Sequence, residues 1–241
     1  MLQGRTSPLQ TQSSNLTEPT EIADEILAQE FGKSQSHFRV KFEDIRFEKQ
    51  IGAGASADVW KGTYKENDVA IKKLRFPTNG QGGSSNMTKE FQREIATLIK
   101  VRHTNLVNFM GACAENNKSH GSQGSVLILT EFCFGGTLFS LLHEKHSIKL
   151  TFKQRYRMAL DIAKGMNFLH IQEPPILHRD LKSLNLLLAE EVKSDTDHVQ
   201  VKVTDFGLSR SKFDTVNILG GNGQQMTGCA GTFHWMAPEI L

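Results

Sequence analysis

The stretch His178-Arg179-Asp180-Leu181-Lys182-Ser183-Leu184-Asn185, followed by Asp205-Phe206-Gly207, sets a carboxylate, a lysine and two further oxygen donors close together in the chain. Asp180 can orient an attacking hydroxyl and accept its proton. Lys182 can neutralise charge building on a moving phosphoryl group. Asn185 and Asp205 offer the hard oxygen atoms that Mg²⁺ prefers. Together these groups suit phosphoryl transfer, in which positioning and charge neutralisation supply nearly all of the catalysis. A structural polar cluster is the plainer alternative. Against it, Pro174 and Pro175 stop the preceding helical pattern, so the ionisable residues fall on a loop. The apolar run Leu186-Leu187-Leu188 follows them, as the floor of a cleft requires.

A second set lies upstream. Ile51-Gly52-Ala53-Gly54-Ala55-Ser56-Ala57-Asp58-Val59 reads as a glycine-rich turn between two strands. Gly52 and Gly54 let the backbone come close to phosphate oxygens with N–H groups facing them. The glycines alone would equally suit a plain hairpin turn. Val59 and Ala70 can enclose a flat purine, and a lysine at 72 or 73 can reach phosphates. Alternation along a strand points those two lysines to opposite faces, so only one enters the cleft. Glu94, in Phe91-Gln92-Arg93-Glu94-Ile95, is a candidate partner for that lysine, and Glu90 is the alternative one helical turn away.

The elements that must hold these residues change character along the chain. Residues 1–17 are rich in Ser, Thr, Gln and Asn and cannot bury enough surface to order themselves. Residues 18–31 carry Ile22, Ile26, Leu27 and Phe31 at helical spacing, which predicts an amphipathic helix packed on the domain, with partner docking as the alternative. Strands are expected over 42–51, 57–64, 68–74, 106–113 and 125–132. A helix is expected over 88–101, with Phe91, Ile95, Leu98 and Ile99 on one face. After Phe134-Gly135-Gly136 the period becomes helical. Leu138, Leu141 and Leu142 mark a short helix, and residues 152–170 a long one offering Tyr156, Ala159, Leu160, Ile162, Ala163 and Met166 to a core. A strand-rich half followed by a helix-rich half predicts two lobes with a cleft between them. The stretches 77–86, 114–124 and 189–198 read as enlarged, solvent-exposed loops.

Composition narrows the function. A net charge of +2 in 241 residues gives no case for nucleic-acid binding, and no apolar run approaches the roughly 20 residues of a membrane span. Residues 1–20 lack the apolar core of a signal peptide. Cys113, Cys133 and Cys229 have no metal-ligand spacing, so reduced thiols are expected, in the cytosol or nucleus, with a cytoplasmic setting the first choice.

Taken in order, these motifs resemble those of protein kinases, from about residue 42 to 241. The closing Gly231-Thr232-Phe233-His234-Trp235-Met236-Ala237-Pro238-Glu239, Lys182 and Asp205-Phe-Gly-Leu-Ser-Arg210 are similar to the tyrosine kinase-like group of serine/threonine kinases, Raf-like and mixed-lineage-like. The resemblance implies an α+β, two-lobed kinase fold: a tail over 1–41, a β-rich N-lobe over about 42–132, and a helical, incomplete C-lobe over about 133–241. It implies ATP and Mg²⁺ as cofactors and a protein substrate with Ser/Thr hydroxyls, with dual specificity left open. A kinase-domain dimer follows by analogy only. The Val69-Ala70-Ile71-Lys72 register selects Lys72 and makes Glu94 its partner, leaving Lys73 an exposed surface lysine. Nucleotide contacts fall to Ile51, Gly52, Ala53, Gly54, Val59, Ala70, Lys72, Thr130, Glu131, Cys133 and Leu187. Of these, Thr130 guards a back pocket, and Glu131 and Cys133 act through their backbone. Asp180, Lys182, Lys72, Glu94 and Thr232 carry the catalysis, with Thr232 bridging Asp180 and Lys182; Asn185 and Asp205 hold the metal. Arg179 would bind a phosphate on the segment 208–236, at Ser211, Thr215 or, as first choice, Thr227. Leu98, Phe109, Phe206 and His178 would stack as a column, with His178 a core histidine.

The chain stops just after Ala-Pro-Glu, where kinases continue into further helices. The expectation is therefore a truncated C-lobe and a poor enzyme when the chain is expressed alone. The alternative to a working kinase is a catalytically incompetent fragment that serves as a binding or dominant-negative module.

Overall fold

A computed structural model describes residues 27–28, 36–54, 57–74, 83–115, 125–145, 147–206, 210–211 and 233–238. Five antiparallel strands form the main sheet: β1 (Ile45–Ala53), β2 (Ala57–Tyr64), β3 (Asn67–Leu74), β4 (Phe109–Glu115) and β5 (Ser125–Glu131), in the order β1-β2-β3-β5-β4. Alternation gives this sheet two buried faces. Val69, Ile71, Leu127 and Leu129 pack in an outer cluster with Val40, Ile45 and Tyr64. Leu74, Val126, Ile128 and Phe109 turn inward, toward Phe91, Ile95 and Leu98 of helix α1 (Gly83–Lys100). Leu27, helical and fully buried, joins that inner cluster.

Helix α2 (Leu138–His143) and helix α3 (Phe152–His170) follow the sheet. Two small ladders complete the described fold. One joins β6 (Gly136–Thr137), β8 (Leu186–Leu188) and β9 (Val201–Val203); the other joins β7 (Ile176–Leu177) to β10 (Arg210–Ser211). Thr151 starts α3 through a reciprocal cap: its Oγ1 accepts from the Gln154 N–H, and Gln154 Oε1 accepts from the Thr151 N–H.

Several expectations are corrected. Helix α1 begins at Gly83, inside the stretch expected to be loop, and β4 begins at Phe109 rather than at 106. Residues 105–107 bond β9 instead: the Val107 N–H donates to Val203 O, and the Val203 N–H to Asn105 O. Lys73 is half-buried, not exposed. The 189–198 stretch is not simply a surface insertion, since Val192 within it is buried. Gln154 Nε2 holds its carbonyls at Ser194 and Asp197.

The core face of α3 also differs. Its buried residues are Gln154, Met158, Asp161, Gly165 and Leu169, whereas Tyr156, Ala159 and Ala163 are exposed and Leu160, Ile162 and Met166 half-buried. Ile162 and Met166 do pack against the inner cluster, beside the buried Met158 and Leu169, but apolar spacing passed over the polar part of the buried stripe, which meets backbone. Asp161 Oδ2 accepts from the Val201 N–H at 3.1 Å, and Gln154 bonds the 194–197 turn. Gly165 lies beneath Asn105, where a β-carbon would stand 2.7 Å from Asn105 O and 3.2 Å from Val203 Cγ2.

Gly165→Ala tests that close approach. Helix propensity alone would stabilise the variant by about 1 kcal/mol. Overpacking against Asn105 should reverse the sign and cost about 1–3 kcal/mol, read as a lower urea midpoint.

Candidate active site

The phosphate end of the cleft is built on β1, β2, β3 and α1. Gly52 pairs with Val59 across the turn, and the Gly54 N–H donates to Ala57 O at 2.8 Å. A methyl added at either glycine would meet no atom of the described residues closer than 3.4 Å. Packing among the described residues therefore does not demand glycine at either position, and what glycine leaves there is bare backbone that a ligand can approach. Ile51 is exposed, and Val59 and Ala70 are half-buried.

Lys72 leaves β3 on the same face as Leu74, toward α1. Its Nζ donates to both Glu94 oxygens, at 2.8 and 3.0 Å, and to Asp205 Oδ1 at 3.3 Å. The expected partner is thus Glu94, which is 6% exposed. Burial alone would lower the Lys72 pKa, but the charges of Glu94 and then Asp205 outweigh it and hold Lys72 above the usual lysine range. Lys72 is therefore a permanent cation here and does not serve as a base.

The chemical end is a web around Asp180, which is buried. Asp180 Oδ2 accepts from Lys182 Nζ at 2.7 Å and from Asn185 Nδ2 at 2.9 Å. Asn185 Nδ2 also donates to Asp180 O. That commitment turns Asn185 Oδ1 the other way. The Thr204 N–H donates to Asn185 O, which brings the residue before Asp205 against Asn185. Asp205 has a φ of +66°, and its side chain is about half exposed. Asn185 Oδ1 and the Asp205 carboxylate are the kind of small, hard oxygen set that suits Mg²⁺, which keeps waters and substrate phosphates as its other ligands.

His178 and Phe206 lie beneath, 2% and 1% exposed, with ring centroids 5.6 Å apart. Leu98, Phe109 and Phe206 share one buried cluster. His178 Nε2 bonds Thr204 O, which can only accept, and Nδ1 accepts from the Asp180 N–H. The imidazole therefore carries its hydrogen on Nε2. Burial pushes its pKa below the usual histidine value, against the opposing pull of Thr204 O and the nearby carboxylates.

At the join between the halves, Thr130 is half-buried and pairs with Ala70 and Phe109. Cys133 is buried, and desolvation, then the Glu131 charge, push its thiol up to about 12, so it stays protonated. Leu187 pairs with Thr137 and Lys202. Sequence reasoning missed what the Glu131 side chain does. Its Oε1 accepts from Lys202 Nζ at 2.8 Å and from the Asn108 N–H at 2.7 Å, tying β5 to β9. The available signal was a lysine set between two valines that lead into Asp205. Thr232, Thr215, Thr227 and the side chain of Ser211 lie outside the described residues. Arg210 and Ser211 pair with Leu177 and Ile176, just ahead of the Asp180 loop.

The His178 geometry sets a pH response. Its folded pKa is depressed, so the unfolded chain binds more protons at acid pH. The stabilisation is complete above about 6.5 and is lost as pH falls through the folded value, with a slope of at most about 1.4 kcal/mol per pH unit. His178→Gln keeps a donor and an acceptor without the titration. Unfolding free energies measured from pH 7.5 down should fall less steeply in this variant than in the parent.

A family model described as protein tyrosine and serine/threonine kinase matches residues 45–241. Serine/threonine-protein kinase CTR1 of Arabidopsis thaliana is 37% identical over 213 residues, 88% of this chain and 23% of the relative. Probable serine/threonine-protein kinase SIS8, also of Arabidopsis thaliana, is 38% identical over 224 residues, 91% of this chain and 19% of the relative. Dual specificity protein kinase splA of Dictyostelium discoideum is 36% identical over 220 residues, 86% of this chain and 8% of the relative. The chain thus spans less than a quarter of the length of each. With the family match reaching from β1 to the last residue, the chain belongs to the protein tyrosine and serine/threonine kinase family.

Proposed function

We propose that this chain carries ATP- and Mg²⁺-dependent transfer of a phosphoryl group to Ser and Thr hydroxyls of protein substrates. The observation that carries the reading is one continuous set of contacts: Glu94 to Lys72, Lys72 to Asp205, and, one residue away, Thr204 to Asn185 and Asn185 to Asp180. That set spans both ends of a phosphoryl-transfer site. The relatives' names support Ser/Thr as the acceptor, and the name of splA extends the class to dual specificity.

In this reading Lys72, held by Glu94, neutralises the nucleotide phosphates. The bare backbone at Gly52 and Gly54 faces the same oxygens, and Val59, Ala70 and Leu187 enclose the base. Asp180 orients the substrate hydroxyl and accepts its proton. Lys182, already on the Asp180 carboxylate, offsets charge on the phosphoryl group in flight. Asn185 and Asp205 would hold Mg²⁺, which when bound supplies charge neutralisation on the phosphates. Thr232 would bridge Lys182 and Asp180.

Transfer of labelled γ-phosphate from Mg-ATP to a basic protein tests the reading, with phosphoamino-acid analysis of the product. Asp180→Asn should lower the rate by about 10²–10⁴-fold. Equal rates in parent and variant would leave the family standing and reject turnover by this chain, in favour of a fragment that serves only to bind. Glu94→Gln removes one charge from the Lys72 pair, worth about 1.5–3 kcal/mol, so kcat/KM should drop about 10- to 150-fold. Phosphate found on Tyr alone would reject Ser/Thr transfer.

A further inference from the structure

Ahead of the family-matched stretch, residues 36–40 dock on the main sheet. β4 is an edge strand, and the segment covers that edge. Arg39 bridges Ala112 in parallel, and the Val40 N–H donates to Ala112 O at 3.0 Å. Exposed strand edges invite stray pairing, so this cover already serves the fold. Its side chains then divide. Val40 enters the outer cluster with Ile45 and Tyr64. Phe38, on a 3₁₀ turn over Ser36–Phe38, packs against the inner cluster, its ring centroid 5.1 Å from that of Phe109 at 44°.

β4 is shaped to receive this segment. Its pairing with β5 slips between Phe109 and Gly111. Gly111 has a φ of +155°, and a β-carbon there would stand 2.4 Å from Val40 Cγ2 and 2.6 Å from Phe38 O. A side chain at 111 would thus expel the segment. The slip and the glycine together leave Phe109 pointing inward, 4% exposed, with Phe38 against it. Phe109 in turn shares its cluster with Leu98 of α1, one turn beyond Glu94, and with Phe206, next to Asp205.

We propose that Phe38 is a positioning residue of the kinase site: by bracing Phe109 it holds the packing on which α1 and the Asp205 strand rest, so residues 36–40 belong to the working domain. The proposal rests on the kinase reading. It distinguishes Phe38 from a residue that merely adds stability, because the outer cluster offers a control. Ile45 packs there, in a cluster that includes neither Phe109 nor Phe206.

The test compares Phe38→Ala with the Ile45 variant, Val or Ala, whose melting temperature falls by the same amount. Both are made in the full chain. Misplacement of Glu94 and Asp205 should lower kcat in Phe38→Ala by roughly 5- to 50-fold while KM for ATP changes less than about twofold, since the base-enclosing residues are untouched. Phe38→Tyr, which keeps the ring, should restore kcat. The matched Ile45 variant should stay within about twofold of the parent. Equal kcat losses in the two matched variants, or no loss in Phe38→Ala, would overturn the proposal. Amide hydrogen exchange reads the coupling without turnover. Faster exchange over residues 91–100 and 201–206 in Phe38→Ala than in the Ile45 control supports it, and equal exchange overturns it. If the parent itself transfers no phosphate, the kinase reading fails and exchange alone decides the role of Phe38.

Discussion

One ammonium group organises this molecule. Lys72 stands where a lone charge would be costly, because its side chain is three-quarters withdrawn from water. It is tolerable only with anions against it, and those come from elsewhere in the chain: Glu94 from the middle of α1 and Asp205 from beyond β9. The sheet must therefore aim β3 at α1, α1 must lie against the sheet, and the strand leading to Asp205 must return beneath both. The inner cluster of Phe91, Ile95, Leu98, Phe109 and Phe206 supplies the apolar packing that keeps all three in place.

The second constraint is backbone against backbone. Residues 105–107 exchange hydrogen bonds with β9, Asn105 Nδ2 reaches Val201 O, and Gly165 lets α3 come up underneath. Glu131 adds a charged tie by joining Asn108 and Lys202. The strand bearing the metal-ligand candidate is thus clamped from three directions within a few residues of Asp205. A site that depends on where Asp205 sits is served by this rigidity, since small displacements of reacting groups cost large factors in rate.

Much of the sheet was legible because alternation is a local property. β2 runs over residues 57–64 as expected, and α3 over 152–170. The Lys72–Glu94 contact was readable once motif order had selected those two residues from neighbours of the same type. What resisted reading were contacts with no periodic trace. The buried stripe of α3 holds Gln154, Asp161 and Gly165, residues that apolar spacing passes over. They are buried because backbone donors and acceptors lie opposite them, and one cannot see from α3 alone what will lie there. The 189–198 stretch read as polar loop, yet Asp197 collects the Lys193 and Ser194 N–H groups and folds it into an ordered turn.

The sequence by itself determined the chemistry-bearing groups and their order: glycines before a lysine, then a helix glutamate, then the Asp180 loop and Asp205. Residue type sets what each group can donate, accept or neutralise, and short spacings set which side of a strand it leaves. Tertiary structure alone decided which face of α3 is inside, that Glu131 is tied to Lys202, and that Phe38, from outside the recognisable domain, stands against Phe109. Each of these joins residues far apart in the chain, and each depends on the shape left by a partner surface. No local pattern encodes that shape until the chain has closed around it.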